Sequence, residues 1–125
     1  MVLGVGIDIV KTSRFREILL KHPSRFTRLC DRILHKNEQP GLTPENCPQR
    51  LASAWAAKEA LYKSLPEQDQ QNCRFNQWQK CKRNGRFEMV CDRPPLDEEF
   101  LVSISHDGDY TTAIVLRQKK PMTRE

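Results

Sequence analysis

From Val2 to Val10 the chain alternates, with Leu3, Val5, Ile7 and Ile9 on one side and Gly4, Gly6 and Asp8 on the other. A period of two is that of a half-buried strand. Glycines within a strand let another group come close, so Asp8 is expected to have space around it for a hydrated ion. The plainer alternatives are that it caps the helix that follows or meets a basic neighbour. That helix is predicted to start at Thr12 or Ser13, either of which can cap it, to turn Phe15, Ile18 and Leu19 inward, and to stop at His22-Pro23. A second helix is predicted from Ser24, with Phe26, Leu29, Cys30, Ile33 and Leu34 as its apolar stripe.

Residues 37–48 are rich in Pro, Asn and Gly and predict a loop. A helix follows from about Pro48 to Leu65, where Pro66 ends it, with Ala54, Ala57, Leu61 and Leu65 on its inner face. Its small residues allow close packing on a sheet, and Trp55 and Tyr62 are expected to be packing aromatics. Residues 75–82 and 87–91 alternate around Asn84-Gly85, a two-residue hairpin signal. A second hairpin is predicted from Leu101–His106 and Tyr110–Leu116 through Asp107-Gly108-Asp109, and the short acidic segment from Pro94 to Glu99 joins the two. The polar stretch 118–125 is expected to be a frayed tail behind a domain spanning residues 1–117.

At 125 residues the chain has room for one domain. Twenty-one Lys and Arg against 16 Asp and Glu give a net charge of +5, which favours an acidic partner without choosing among nucleic acid, membrane and protein. Part of that charge is organised: Arg25, Arg28, Arg32 and Lys36 recur at helical spacing beside the apolar stripe of the second helix. The face is either a solvated surface or a docking surface, and four cations without an acid favour docking. The five cysteines are odd in number and contain no C-x-x-C, so neither a zinc site nor a disulfide framework is indicated, and a reducing compartment is the simpler expectation. No stretch is apolar enough for a membrane span and no secretory signal is visible.

The candidate chemistry lies in Trp55-Ala-Ala-Lys-Glu-Ala-Leu-Tyr-Lys63, which sets Glu59 and Lys63 one helical turn apart. Alone, such a pair is commonly a surface ion pair. Here it accompanies Asp8 at the end of the first strand and Ser103-Ile-Ser-His106 at the end of a later one. Asp8 and Glu59 would suffice for Mg²⁺, which takes one or two carboxylates and fills its remaining positions with water and phosphate oxygens. Lys63 could reach a phosphate as a point charge, and His106 could bind phosphate or move a proton near neutral pH. No P-loop and no complete dinucleotide fingerprint is present.

In order and spacing these three motifs resemble the holo-acyl-carrier-protein synthase family of 4′-phosphopantetheinyl transferases, from Gly4 to about Val115. The resemblance implies an α+β fold, a small antiparallel sheet packed on a long central helix, with the active site at a subunit interface of a homotrimer. It implies an enzyme that moves the phosphopantetheine arm of coenzyme A to a serine of apo acyl carrier protein, releasing 3′,5′-ADP, in fatty acid biosynthesis. The catalytic set it implies is Asp8, Glu59, Lys63 and His106. Within that set Asp8 and Glu59 bind Mg²⁺, while Lys63, Ser105 and His106 lie by coenzyme A. The general base is left open among a metal-bound water, His106 and Asp107. Arg14, Arg25, Arg28 and Arg32 become candidates for the acidic carrier protein, with neither nucleic acid nor membrane as a partner. The resemblance also points to a fungal version in the mitochondrial matrix, the cytoplasm being the alternative.

Three positions depart from the family pattern. Ala54 stands where a basic residue usually precedes the aromatic, Ser64-Leu65-Pro66 stands where a glycine turn follows the lysine, and the segment between the hairpins is short. Two other functions remain open: a noncatalytic homologue that binds carrier protein, and a small basic RNA-binding module prompted by Arg and Lys near Phe75 to Phe87. The second leaves Asp8 and Glu59 without a role, and the chain lacks a recognisable aromatic platform motif.

Overall fold

A computed structural model describes residues 1–93 and 97–121. One five-stranded antiparallel sheet, in the order β1-β5-β4-β3-β2, is built from β1 (Val2–Lys11), β2 (Trp78–Arg83), β3 (Arg86–Cys91), β4 (Glu98–Asp107) and β5 (Tyr110–Lys119). Among the described residues four α-helices join it: α1 (Thr12–Lys21), α2 (Phe26–Ile33), α3 (Cys47–Ser64) and the single turn α4 (Glu67–Gln70). Both predicted hairpins form. Asn84 (φ 51°) and Gly85 (φ 77°) make the first turn, and Gly108 (φ 57°) lies in the second. The opening strand of the first hairpin starts later than expected, because residues 75–77 form a short 3₁₀ turn before β2 begins at Trp78. β5 continues through Lys119, into the stretch expected as tail. In the predicted connector between the hairpins, residues 94–96 lie outside the described residues, as do 122–125 of the tail.

Helix α3 lies along one face of the sheet and supplies more of the core than any other element. Leu51, Ala52, Ala56, Ala57, Ala60 and Leu61 are all buried, and Phe100, Val102, Ala113 and Val115 meet them from β4 and β5. Small side chains explain how close the helix comes, since alanines leave little between its backbone and the strands. Trp55 packs edge-on against Phe15 and Phe75, at centroid distances of 6.3 and 5.5 Å, as a packing aromatic. Arg117 ties the far end of this layer together: it donates to the Ser64 carbonyl at 2.8 Å, to the Leu3 carbonyl at 3.0 Å and to Glu98 at 2.8 Å.

The first strand presents its faces the other way round from expectation. Gly6 and Val10 are buried under α3, whereas Val5, Ile7 and Ile9 are 56%, 63% and 65% exposed. The glycine face is therefore filled by a helix rather than open to an ion. In register, Val5, Ile7 and Ile9 pair with Leu116, Ile114 and Thr112 of β5, and side chains paired directly across a sheet share a face. One chain thus leaves an apolar stripe uncovered on the side of the sheet away from α3.

Helix α1 is capped from a distance. Neither Thr12 nor Ser13 acts as its cap. Instead Asp109, in the β4–β5 turn, accepts from the Ser13 backbone N–H at 2.9 Å and from the Ser13 hydroxyl, while its carbonyl takes the Thr12 N–H at 2.8 Å. The Ser13 hydroxyl, chiefly, holds the Asp109 carboxyl below its usual range, against an opposing effect of desolvation. A carboxylate with a depressed folded pKa contributes stability above its ordinary value, 3.8 here, and loses it as pH falls through the folded one. Asp109→Asn is therefore expected to lower the melting temperature at neutral pH, with the difference from wild type closing in acid. Melting curves at a series of pH values check this, and a gap independent of pH would refute it.

Candidate active site

The close approach of α3 to β1 brings Asp8, Glu59 and Lys63 together. Asp8 is half-buried beside the helix, and the Lys63 ammonium donates to its Oδ1 at 3.1 Å and to the Ile7 carbonyl at 3.0 Å. Glu59, one turn before Lys63, lies near enough to both to feel their charges. Burial pushes its carboxyl pKa up, the Asp8 carboxylate pushes it further, and Lys63 opposes them. Two carboxylates near enough to repel, one of them paired with a partly exposed lysine, form a site short of positive charge.

That donor set fits a hard divalent cation. Two partly exposed carboxylates match Mg²⁺, which takes one or two protein carboxylates and fills its remaining positions with water and phosphate oxygens. Among the described residues no group of three or more His, Cys, Asp and Glu could hold a metal, so a closed zinc-type site is not built here. All five cysteines are free.

The two residues from the end of β4 lie elsewhere. Asp8 pairs with Ala113, Ala113 pairs with Ile104, and His106 lies two residues beyond Ile104. Two strand spacings already separate His106 from Asp8 by about 10 Å. His106 is exposed near the C-terminal end of the central strand β4, on the α3 side of the sheet. Ser105 pairs with Thr112, which pairs with Ile9, so it sits on the opposite, uncovered face. Neither joins the Asp8, Glu59 and Lys63 cluster of its own chain.

Residues 4–115 match the family described as the 4′-phosphopantetheinyl transferase superfamily. The chain belongs to this family. It is 31% identical to the holo-[acyl-carrier-protein] synthase of Geobacillus sp. (strain WCH70), over 95% of this chain and 98% of that protein. It is 30% identical to the mitochondrial holo-[acyl-carrier-protein] synthase of Eremothecium gossypii, over 91% of this chain and 78% of that one. A Chronobacterium ammoniagenes synthase solved in complex with coenzyme A superimposes with a TM-score of 0.68 at 26% identity, covering 94% of this chain and 98% of that one. The α+β architecture expected from the motifs is thus that of a phosphopantetheinyl transferase.

Within this transferase the basic candidates form an outer surface. Arg14 on α1, Arg25 before α2, and Arg28 and Arg32 on α2 are all exposed. None is within 4.0 Å of a carboxylate among the described residues. Cys30, Ile33 and Leu34 of the apolar stripe are buried, so the arginines project from a helix that is anchored behind them.

One charged residue of the family motif went unread in the sequence. Lys58 is fully buried, and its ammonium donates to the Ile33 carbonyl and to Glu38 Oε1, each at 2.6 Å. Burial lowers its pKa, and Glu38 works against that shift. A signal existed: Leu51, Ala54, Lys58, Leu61 and Leu65 recur at spacings of three and four, so Lys58 falls on the apolar stripe of α3. The departure at Ala54 is accompanied by Arg50 one turn earlier, but that guanidinium is engaged with the Glu38 carbonyl at 2.6 Å and the Pro40 carbonyl at 3.2 Å.

Proposed function

We propose that this protein is a holo-[acyl-carrier-protein] synthase that transfers the 4′-phosphopantetheine group of coenzyme A to a serine of apo acyl carrier protein, releasing 3′,5′-ADP. The observation that carries this reading is the meeting of Asp8, Glu59 and Lys63 where β1 and α3 touch, in a chain that matches such synthases over nearly its whole length. Asp8 and Glu59 would hold Mg²⁺, which when bound supplies the positive charge needed to neutralise a pyrophosphate during attack by a hydroxyl. Lys63, about half exposed, is free to leave Asp8 and meet a phosphate oxygen. Arg14, Arg25, Arg28 and Arg32 would draw in an acidic carrier protein by charge, chiefly raising the encounter rate and fixing orientation, an effect that fades with salt.

The working form in this proposal is a homotrimer. Support comes from the uncovered stripe of Val5, Ile7, Ile9 and Ile114 and from the absence of His106 and Ser105 from the cluster in their own chain. Ser105 on the uncovered face and His106 near the end of β4 would then serve the site of a neighbouring copy, beside its coenzyme A. The mitochondrial matrix is the proposed compartment, by likeness to the Eremothecium gossypii protein, and fatty acid biosynthesis the setting. No helix among the described residues is long and apolar enough to cross a membrane.

Ile7→Lys tests the assembly. Ile7 is exposed in a single chain, so the fold is expected to survive, while the lysine sits opposite Ile114 in the middle of the stripe. Light scattering should find a monomer, with transfer down by about 100-fold as the shared groups are lost. A fully active monomer would refute the shared site.

The reaction itself is tested by the intact mass of apo acyl carrier protein after incubation with this protein and coenzyme A, in Mg²⁺ and in EDTA. A Mg²⁺-dependent gain of one phosphopantetheine is expected. No gain with any of several carrier proteins would overturn the assignment.

A further inference from the structure

Lys58 is a charged group in the core that the transfer chemistry does not use. Packing alone does not account for it, because a well-packed apolar residue in place of a buried ion pair is often as stable or more so. Its position is specific. Ile33 is the last residue of α2, and the carbonyl there is one that the helix cannot satisfy itself. Lys58 reaches across from α3 to take it at 2.6 Å, placing a cation at the negative end of α2.

The same ammonium holds Glu38, which is itself locked from two further sides. Its Oε1 accepts the His35 backbone N–H at 3.0 Å and its Oε2 the Lys80 backbone N–H at 3.3 Å. His35, buried beneath, accepts the Asn37 N–H on Nδ1 at 3.0 Å, which leaves Nε2 as the donor to Asp92 at 2.8 Å. A continuous polar network therefore runs from the β3 end of the sheet to α3, and it ends at the residue directly before Glu59. Consecutive helical residues point about 100° apart, so Lys58 faces α2 while Glu59 faces Asp8.

We propose that Lys58 and Glu38 form a positioning strut that fixes the arginine-bearing helix α2 relative to Glu59, so that a carrier protein seated on α2 presents its serine at the correct distance from coenzyme A. The role rests on the transfer reading above. It assigns Lys58 no contact with substrate. Its consequence is confined to the alignment of two substrates already bound, so it should appear in kcat and not in coenzyme A affinity.

Two variants separate alignment from stability. Lys58→Met leaves Glu38 without its countercharge and is expected to melt at lower temperature. Adding Glu38→Gln removes that charge and keeps one acceptor oxygen for the His35 N–H, giving up only the longer 3.3 Å bond from the Lys80 N–H, so the double variant should recover part of the lost melting temperature. Kinetics are measured well below every melting point, with both substrates saturating, and coenzyme A binding is measured separately by calorimetry. Both variants are expected to lose about 10- to 100-fold in kcat, the effect of a displacement near 1 Å, with coenzyme A affinity unchanged. If Lys58→Met does not fold, the double variant carries the measurement. Recovery of kcat along with melting temperature would make the pair merely structural and overturn the proposal. A parallel fall in coenzyme A affinity would do the same, since Glu59 itself would then have moved. A wild-type chain that transfers nothing is a different result: it refutes the transfer reading, and with it any reaction for the strut to serve.

Discussion

Glu59→Gln is expected to reduce transfer by about 10²- to 10³-fold or more, the scale on which removing one transition-state electrostatic partner acts, while leaving the fold intact. The substitution keeps the shape of the side chain and removes only its charge and one acceptor function. Stability should hold for a reason that can be read from the pKa. Burial first and Asp8 second raise the Glu59 pKa above its ordinary 4.5, so the folded chain binds that proton more tightly than the unfolded chain. A raised pKa stabilises the fold below the ordinary value, and that stabilisation is lost as pH rises through the folded one. At neutral pH the ionised Glu59 therefore works against folding, and a permanently neutral Gln is expected to melt at the same temperature or higher. Added Mg²⁺ should raise the melting temperature of the wild type, since binding to the folded state alone stabilises it, and should not do so in the variant. Transfer assays, melting curves and a Mg²⁺ titration check the three parts together. A fully active Glu59→Gln protein would sink the metal assignment.

What the sequence discloses follows from where each residue sits. Asp8, Glu59 and Lys63 are legible because they ride on regular elements, where spacing fixes direction: one turn of α3 separates Glu59 from Lys63, and alternation puts Asp8 with the glycines of β1. Which face of β1 is covered is not legible in the same way. Alternation announces two faces, and the usual assumption buries the apolar one. Here α3 settles on Gly6 and leaves Val5, Ile7 and Ile9 outside, the stripe that the proposed homotrimer would cover. Alternation also separates Ser105 from His106, two neighbours in one motif that cannot face the same way along β4. The Asp109 cap of α1 lies 96 residues from Ser13, and no local signal joins them. Lys58 was hidden by its chemistry, because a lysine within an apolar stripe is read as a residue whose head escapes to water. Its burial depends on Glu38, which comes from a different segment.

Gly6→Ala is expected to be the most damaging single-atom addition in this chain. A Cβ at Gly6 would lie 1.8 Å from the Ala60 carbonyl oxygen and 2.8 Å from its carbon, and both are helix backbone that no rotamer change can move aside. Helix α3 would have to lift from β1. Overpacking of a tight core commonly removes 1–3 kcal/mol, so about 3 kcal/mol or more is expected here, and the melting temperature should fall by about 10 °C or more. The effect on function should exceed the effect on stability. Ala60 directly follows Glu59, so the movement that relieves the clash also withdraws Glu59 from Asp8, and the fraction that remains folded should have lost most of its Mg²⁺ response. Gly85→Ala is the control. Nothing lies within 4 Å of a Cβ there, but φ is +77°, so the loss is confined to the left-handed conformation, about 1 kcal/mol, with transfer unaffected per folded molecule. Melting curves and Mg²⁺ titrations on the two variants distinguish a glycine required for contact from one required for its turn. A Gly6→Ala protein as stable and as responsive to Mg²⁺ as the wild type would refute the close packing of α3 on β1, and with it the meeting of Glu59 and Asp8 on which the site depends.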